Sequence, residues 1–411
     1  MLSSVEQYGL TVTFDQPYPV GQYANGDYFV VGPVQVTGFS PAPEMASNGW
    51  TGPVESTKDW YRHGAMVNPS PGDIGNLGYG TQLANNYVQS KDISRQVPAT
   101  VGAGSTIVWT TARDAPQQRP SIDTAIAVTV VSQAPASGDF RPPYCGTDKT
   151  SKHNIADINW SLIPTLPTVS GAPDPTALAG SFQRVWLDHR GFWSGRKIHP
   201  RTSMPDYGND MAKTLGQGFL ALMLNFTQSQ KQALLVNLLQ IGVDNYGIVA
   251  DGGTQIWEPD GGHNHGRKLP ILFAGTVLGD ATMADIGSRN DVFFGEDAQT
   301  FYVTSETVSV GSNYTSGMIG LPEYGIRHAT TPSLDNGDWN ASYRICCTGP
   351  GYGPHVLAAH MMGLKEAWQH DPLFDYADRY RSIQGAGAWD VPFTNTMWET
   401  YRGDYPPVWS A

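Results

Sequence analysis

The hydrophobic pattern of the chain changes its period near Pro175, and this change limits the folds that the chain can adopt. Before that point, short alternating or β-branched apolar runs stand between turn residues. The runs predict strands at residues 10–14, 28–31, 106–110 and 124–131. Asn25-Gly26 is a dipeptide typical of β-hairpins. This spacing of short strands favours a β-sandwich over the first third of the chain.

After Pro175 the apolar residues recur at helical spacing. A capping-box pattern at residues 227–230 predicts the start of a helix that continues through Ile241. The other predicted helices are residues 176–188, 210–224, 269–278, 355–368 and 374–381. The expected fold class is α+β, with a β-sandwich-like domain at residues 1–140, a Pro-rich linker at 141–175 and a helical, α/α toroid-like catalytic domain at 176–411.

Charge and cysteine usage narrow the classes of partner. The net charge is −12 without any basic stripe, which argues against nucleic-acid binding. The sequence contains no run of 18 apolar residues, so we expect no membrane span. One disulfide from Cys145 to Cys346 or Cys347, or no disulfide, fits the three cysteines. We expect a secreted or extracellular protein whose signal peptide is absent from this chain, and the sequence leaves the oligomeric state open.

The densest polar cluster lies at residues 257–268, directly before the predicted helix at Leu269. Its glycines and Pro259 indicate a loop, which delivers polar side chains to the positive end of a helix. The alternative is a structural role, with one histidine capping the helix and Arg267 paired with Asp260. The cluster contains Trp257, Glu258, Asp260, His263, Asn264, His265, Arg267 and Lys268.

A second cluster follows Asp188. Trp193 and Tyr207 are predicted to form a stacking platform, on which His199 and Arg201 grip an acidic group. The alternative is an ordinary loop at a helix end with solvated charges.

Tyr324 stands close to Glu323, Arg327 and His328 in the sequence. Nearby cations favour the phenolate, which would lower the pKa of the phenol and suit it to proton transfer. The alternative is a buried tyrosine with hydrogen-bonded neighbours. His355 and His360 are expected to be packing residues.

The helical part of the chain resembles the polysaccharide lyases built on a helical toroid, such as the alginate-lyase and heparinase-like groups. Asn264-His265-Gly266 is similar to the Asn-His motif that those enzymes place at the uronate, and Tyr324 takes the place of their catalytic tyrosine. In two respects the chain differs from these enzymes. Its β-rich part comes first, and His263 stands where the familiar motif has a second asparagine.

The resemblance implies β-elimination at a uronic acid within an acidic polysaccharide. Cationic groups neutralise the carboxylate, a base removes the C5 proton, and an acid protonates the leaving oxygen. Tyr324 is the first choice for the proton transfers, with Tyr207 and His263 in reserve, and His265 completes the catalytic set. The implied substrate-binding residues are Asn264, Arg267, Lys268, Arg327, His199, Arg201, Trp193 and Trp257.

Two other functions remain open from the sequence. A glycoside hydrolase needs a pair of carboxyl groups, for which Glu258, Asp260, Asp188 and Glu323 are candidates. A carbohydrate-binding surface protein without catalysis is the second. No cofactor is required by these interpretations. Residues 263–265 form an H-x-H pair of the type that binds zinc, with Asp260 as a further ligand, and the sequence leaves a calcium or zinc ion open.

Overall fold

The computed structural model describes residues 1–44, 63–74, 87–94, 96–113, 119–309, 314–325 and 344–404. Arg327 and His328 lie outside the described residues. The strands are β1 (Leu2–Gln7), β2 (Leu10–Tyr18), β3 (Val20–Gln22), β4 (Tyr28–Val31), β5 (Val34–Ser40), β6 (Gly64–Val67), β7 (Ala99–Val101), β8 (Ser105–Ala112), β9 (Ile122–Val131), β10 (Thr300–Tyr302) and β11 (Pro322–Tyr324). All the predicted strands are therefore confirmed.

Two sheets form the front part of the chain. One has the order β1-β2-β5-β7 and the other has the order β3-β4-β9-β8-β6. Alternation places one face of each strand inward, so that both sheets contribute to one hydrophobic core, as in a β-sandwich. Val12 and Val36 come from the first sheet, and Trp109 and Val128 come from the second.

Helices dominate the remainder of the chain, which confirms a mixed α+β fold. They are α1 (Pro175–Ala179), α2 (Phe192–Gly195), α3 (Gly208–Leu222), α4 (Gln228–Ala250), α5 (Lys268–Leu278), α6 (Ala281–Ala284), α7 (Gly295–Ala298), α8 (Ser305–Ser309), α9 (Gly349–Met361), α10 (Lys365–Trp368), α11 (Asp371–Gln384) and α12 (Pro392–Tyr401). A single π-helical turn, Arg344–Thr348, leads into α9.

The predicted capping box at the start of α4 is confirmed. The Thr227 N–H donates to Gln230 Oε1 at 3.0 Å, and the Gln230 N–H donates to Thr227 Oγ1 at 3.3 Å. Two helix predictions were too long. The helix predicted at 176–188 ends at Ala179, and the helix predicted at 355–368 is divided at Gly363, whose φ of 66° is left-handed and ends a helix.

The chain folds as two compact units that alternate along the sequence. The first unit comprises Met1–Ile158, Gly180–Asp206 and Leu239–Ile256, and the second comprises Asn159–Ala179, Tyr207–Leu238 and Trp257–Ala411. The sequence predicted consecutive domains instead. Such a prediction does not allow for α4, a 23-residue helix whose two halves belong to different units.

α4 is also the one described helix that is long and apolar enough to cross a membrane. Its mean hydropathy is 1.4, but 83% of the apolar window is buried inside the protein. A buried core helix has the same composition, so this finding is weak evidence for a membrane span.

Candidate active site

The histidine loop, residues 257–268, belongs to the second unit and is held by its own polar side chains. Asn264 is fully buried and its Nδ2 donates to the Glu258 carbonyl at 2.5 Å. The Arg267 guanidinium is also buried and donates to the carbonyls of His263 and His265, at 2.9 and 2.7 Å. These bonds satisfy backbone carbonyls that the loop would otherwise bury alone. Asn264 and Arg267 therefore fix the shape of the loop.

His263 is the loop histidine that reaches the protein surface. Its Nδ1 lies 2.9 Å from the Asp260 carbonyl and 3.1 Å from Asp260 Oδ2. Both partners are acceptors, so Nδ1 carries the proton and Nε2 is the basic nitrogen. The His263 side chain is 12% exposed and the Asp260 side chain 32% exposed. An acidic partner that orients a histidine in this way is the arrangement of a general base.

Tyr207 lies directly beside His263. The ring centroids are 4.9 Å apart at an interplanar angle of 86°, and the Gly262 N–H donates to the Tyr207 hydroxyl at 2.9 Å. The phenol is partly exposed. A phenol that accepts a hydrogen bond keeps its own proton and is a proton donor by type. A proton acceptor and a proton donor thus stand side by side at an accessible position.

The starts of α3 and α9 meet the histidine loop at this position. α3 begins one residue after Tyr207, and a Cβ on Gly208 would lie 2.1 Å from the His263 carbonyl oxygen. A Cβ on Gly262 would lie 2.0 Å from the Cys347 carbonyl, two residues before α9 begins. Glycine is required at both approaches. Among the described residues neither helix has a side-chain cap. The π-helical turn Arg344–Thr348 continues directly into α9, so the N-terminus whose first N–H groups and partial positive charge favour an anion is that of α3.

A disulfide joins the adjacent residues Cys346 and Cys347 at the same edge of the site. Cys346 is exposed and Cys347 is partly buried. Cys145 is a free, buried thiol, and burial raises its pKa well above the ordinary value. A bridge from Cys145 to either member of the pair, which the sequence left open, is thereby contradicted. Adjacent cysteines close the shortest of rings and need no distant partner.

His265 lies beneath the accessible loop rather than on it. It is 1% exposed, and its Nε2 lies 2.5 Å from Gln299 Oε1 and 3.5 Å from the Tyr352 hydroxyl. Since Gln299 Oε1 is an acceptor, Nε2 carries the proton. Nδ1 is buried and has no hydrogen-bond partner among the residues that the structure describes. Burial lowers the pKa of His265 to about 4, so the ring is neutral at neutral pH.

Tyr324 ends the short strand β11 and is also buried, with 1% exposure. The guanidinium carbon of Arg344 lies 5.2 Å from the Tyr324 ring centroid, and Arg344 also donates to the Tyr376 hydroxyl at 2.9 Å. Glu323 accepts from Arg344 at 3.3 Å and from Arg379 at 2.6 Å. The cation beside Tyr324 is therefore Arg344. The predicted neighbours Arg327 and His328 lie outside the described residues.

Lys268 and Trp257 complete the set predicted from the loop, and both are buried. The Lys268 ammonium donates to Asp297 Oδ2 at 2.5 Å and to the Trp368 carbonyl at 2.6 Å. Trp257 stacks on Phe294 with ring centroids 6.0 Å apart. Nearby, burial is the main cause that raises the pKa of Glu296 to about 7. These side chains anchor the loop to the interior of the second unit.

The second predicted cluster is divided between the two units, because Tyr207 belongs to the second unit and Trp193, His199 and Arg201 belong to the first. Two cations lie over the Trp193 ring: the guanidinium carbon of Arg119 is 5.4 Å from the ring centroid, and the Lys197 ammonium is 5.6 Å from it. His199 is buried, with Nε2 3.7 Å from Asp188 Oδ1. Arg201 is exposed and pairs with Asp123 at 2.5 Å.

The carboxyl groups considered for hydrolysis have different surroundings. Asp188 is a residue of the first unit, whereas Glu258, Asp260 and Glu323 belong to the second. Asp260 orients His263, and Glu323 is fully buried between two arginines. Within the described ranges, no group of three or more His, Cys, Asp or Glu side chains is arranged to hold a metal ion.

Tyr352, Arg344 and Gln299 were missed by the sequence reasoning. Tyr352 stands in the run Gly349-Pro350-Gly351-Tyr352-Gly353-Pro354, whose composition predicts a loop, but the structure includes it in α9. Proline fits the first helical turn, which is the signal that was overlooked. Arg344 and Gln299 reach the site only through tertiary contacts.

Comparison of the chain with family models, with curated proteins and with solved structures finds no match.

Proposed function

We propose that the protein is a polysaccharide lyase that cleaves a uronate-containing polymer by β-elimination. The observation that carries this proposal is the pairing of His263, oriented by Asp260, with Tyr207 at the N-terminus of α3. Elimination needs three functions at one place: neutralisation of a carboxylate, a base and an acid. The arrangement of the helices as an α/α toroid belongs to the same proposal.

The N-terminus of α3 supplies the first function. The C5 proton of a uronate becomes acidic enough to be removed only when the negative charge of the neighbouring carboxylate is neutralised. Backbone N–H groups at the start of α3 can bind that carboxylate, and the helix adds about half an elementary positive charge at its N-terminus. The shape of the loop, maintained by Asn264 and Arg267, sets the position of His263 relative to that N-terminus.

His263 and Tyr207 supply the proton transfers. His263 Nε2 removes the C5 proton, the electron pair forms the C4–C5 double bond, and the C4–O bond breaks. The Tyr207 hydroxyl protonates the leaving oxygen. The products are one chain with a new reducing end and one chain that ends in a 4,5-unsaturated uronate. The imidazolium then returns its proton to the tyrosinate, directly or through water, so that the proton count balances.

His265 and Tyr324 are the first choices from the sequence. In this proposal they are buried and do not contact the substrate. His265, Gln299 and Tyr352 support the underside of the loop, and Arg344 connects Tyr376 to the turn that carries the disulfide. They are positioning residues. The substrate-binding roles proposed for Lys268, Trp257, Trp193, His199, Arg201 and Arg327 stay predictions.

The test mixes the protein with a panel of acidic polysaccharides, namely alginate, glucuronan, ulvan, pectate and glycosaminoglycans. We expect a rise in ultraviolet absorbance from the conjugated product with at least one polymer. New reducing ends without that absorbance would instead show hydrolysis. Binding of a polymer without either product would show that the protein is a carbohydrate-binding protein without catalysis.

Variants then locate the chemistry. Tyr207→Phe removes the acid and keeps the ring, and His263→Gln removes the base. Each is expected to lower kcat by about 100-fold to 10,000-fold, the range for a general acid or base. Tyr18→Phe, which removes a phenol bonded to Asp15 in the first unit, is the matched control and keeps the full rate.

A further inference from the structure

A pocket in the second unit lies among residues that the proposed reaction does not use. It is open to solvent and has a volume of about 650 Å³. That size is within the range of about 300–1,000 Å³ found for small-molecule sites. The lining residues are Tyr302, Val303, Thr304, Ser305, Ile319, Gly320 and Asp375.

Asp375 is one of the residues that line this pocket, and one of its carboxylate oxygens has no hydrogen bond among the described residues. The residue is 1% exposed, and Oδ2 accepts a short hydrogen bond from the Tyr302 hydroxyl. Oδ1 is buried without a hydrogen-bond partner among the described residues. A buried acceptor left without a donor costs about 1–3 kcal/mol. The pocket therefore offers a stabilising position to a ligand that donates a hydrogen bond.

The charge around Asp375 favours a neutral donor. The Lys365 ammonium lies 3.9 Å from Asp375 Oδ1, outside hydrogen-bond distance but close enough to offset the carboxylate charge. Lys365 also lies 3.4 Å from Asp371 Oδ1. A ligand ammonium group would be repelled by Lys365, and a ligand carboxylate would meet Asp375. A neutral hydroxyl group is repelled by neither Lys365 nor Asp375.

The walls of the pocket fit the other faces of such a ligand. Ser305 is exposed at its rim, and its hydroxyl can donate or accept. Ile319 is 50% exposed and Val303 lies beside it, which gives an apolar surface. A ring that carries hydroxyl groups on its edge and C–H groups on its face presents this combination of surfaces.

We propose that this pocket binds a neutral sugar residue, with a ring hydroxyl donating to Asp375 Oδ1 and the C–H face of the ring on Ile319. The site is separate from the proton-transfer residues, and the proposal does not depend on the elimination reaction. A sugar unit of a polymer and a free monosaccharide share this chemistry.

The test measures binding of D-glucose, D-galactose and D-mannose to the full chain by ligand-observed NMR, with cellobiose as the probe for a polymer end. Methylammonium and acetate are the charged probes. We expect saturable binding of at least one sugar and no binding of either ion. Stronger binding of cellobiose would indicate a polymer as the source, and equal binding would indicate a monosaccharide.

Asp375→Asn is expected to weaken sugar binding at least tenfold. Asp371→Asn is the matched control, because it makes the same charge change at an exposed neighbour of Lys365 and keeps the affinity. Ile319→Arg fills the rim from an exposed position and is expected to abolish binding, which keeps the test decisive where Asp375→Asn does not fold. Absence of sugar binding by the wild type, unchanged affinity in Ile319→Arg, or preference for methylammonium would each overturn the proposal. Elimination activity is scored separately.

Discussion

Two polar regions of this protein differ in how completely their hydrogen bonds are satisfied. In the first unit, Arg141 is fully buried between Asp27 and Asp244, at 2.6 Å from each. Its guanidinium also donates to the Pro142 carbonyl, and the Tyr144 N–H donates to Asp244. In the second unit, the partly exposed His263 and Tyr207 stand at the N-terminus of α3, which has no side-chain cap among the described residues.

The difference teaches how to separate a structural cluster from a functional one. The Arg141 guanidinium has each of its nitrogens hydrogen-bonded from within, so it leaves no donor for a ligand. The candidate site instead places the imidazole of His263 and the phenol of Tyr207 at partly exposed positions. Burial of charge alone therefore does not identify a candidate site, whereas acid–base groups at a partly exposed position do.

The largest effect is expected from Arg141→Met. The substitution leaves Asp27 and Asp244 buried without their cation, which costs about 3–5 kcal/mol of unfolding free energy. Urea unfolding followed by tryptophan fluorescence measures it. Arg201→Met, which removes the exposed pair with Asp123, is the control and costs about 0–1 kcal/mol. A loss from Arg141→Met no larger than the control would show that the buried cluster is not structural.

Acid is expected to weaken the second unit through its buried histidines. Burial lowers the pKa of His265 to about 4 and the pKa values of His355 and His360 to about 3. In the first unit, burial lowers the pKa of His189 to about 4. The unfolded chain binds a proton at each of these rings below pH 6.5, but the folded protein does not until the folded pKa is reached. The stability present above pH 6.5 is therefore lost as the pH falls toward 4.

The size of this acid effect can be isolated at one ring. Between pH 7 and pH 5, His265 accounts for about 2 kcal/mol of lost unfolding free energy, at about 1.4 kcal/mol for each pH unit. His265→Gln should therefore lose about 2 kcal/mol less than wild type over this interval, whatever its stability at pH 7. Equal losses in the two proteins would mean that His265 is protonated in the folded state.

The smallest effect concerns the cysteines. In the native protein, a dithiol reductant should open the exposed Cys346–Cys347 bridge and leave two alkylatable thiols, while buried Cys145 reacts only in urea. Mass spectrometry after alkylation counts them. Replacing both members of the pair by serine should cost only about 1 kcal/mol, because the bridge closes a very short loop. Alkylation of Cys145 in the native protein would contradict the burial of that thiol.

Period and turn residues predicted most of the local structure. The strand at residues 28–31 and the capping box at Thr227 are local features, and both are confirmed. The alternation of the two units along the chain was missed, because it depends on the packing of segments that are distant in sequence. A short sequence pattern does not show that Arg141 will meet Asp244.

The outcome for the candidate site has the same physical cause. The sequence located the histidine loop, since glycines before an apolar helical run are a local signal. It did not separate His263 from His265, which stand two positions apart. Only the tertiary structure shows that His263 is partly exposed beside Tyr207, while His265 lies beneath it against Gln299.

The central claim is tested most directly by measuring His263→Gln beside Arg141→Met, for both elimination rate and urea unfolding. The assay uses the polymer that yields the unsaturated product with wild type. We predict that His263→Gln loses at least 100-fold in kcat and keeps its unfolding free energy within about 1 kcal/mol. Arg141→Met should lose stability and keep the wild-type rate per folded molecule. A His263→Gln variant with the full rate would contradict the account.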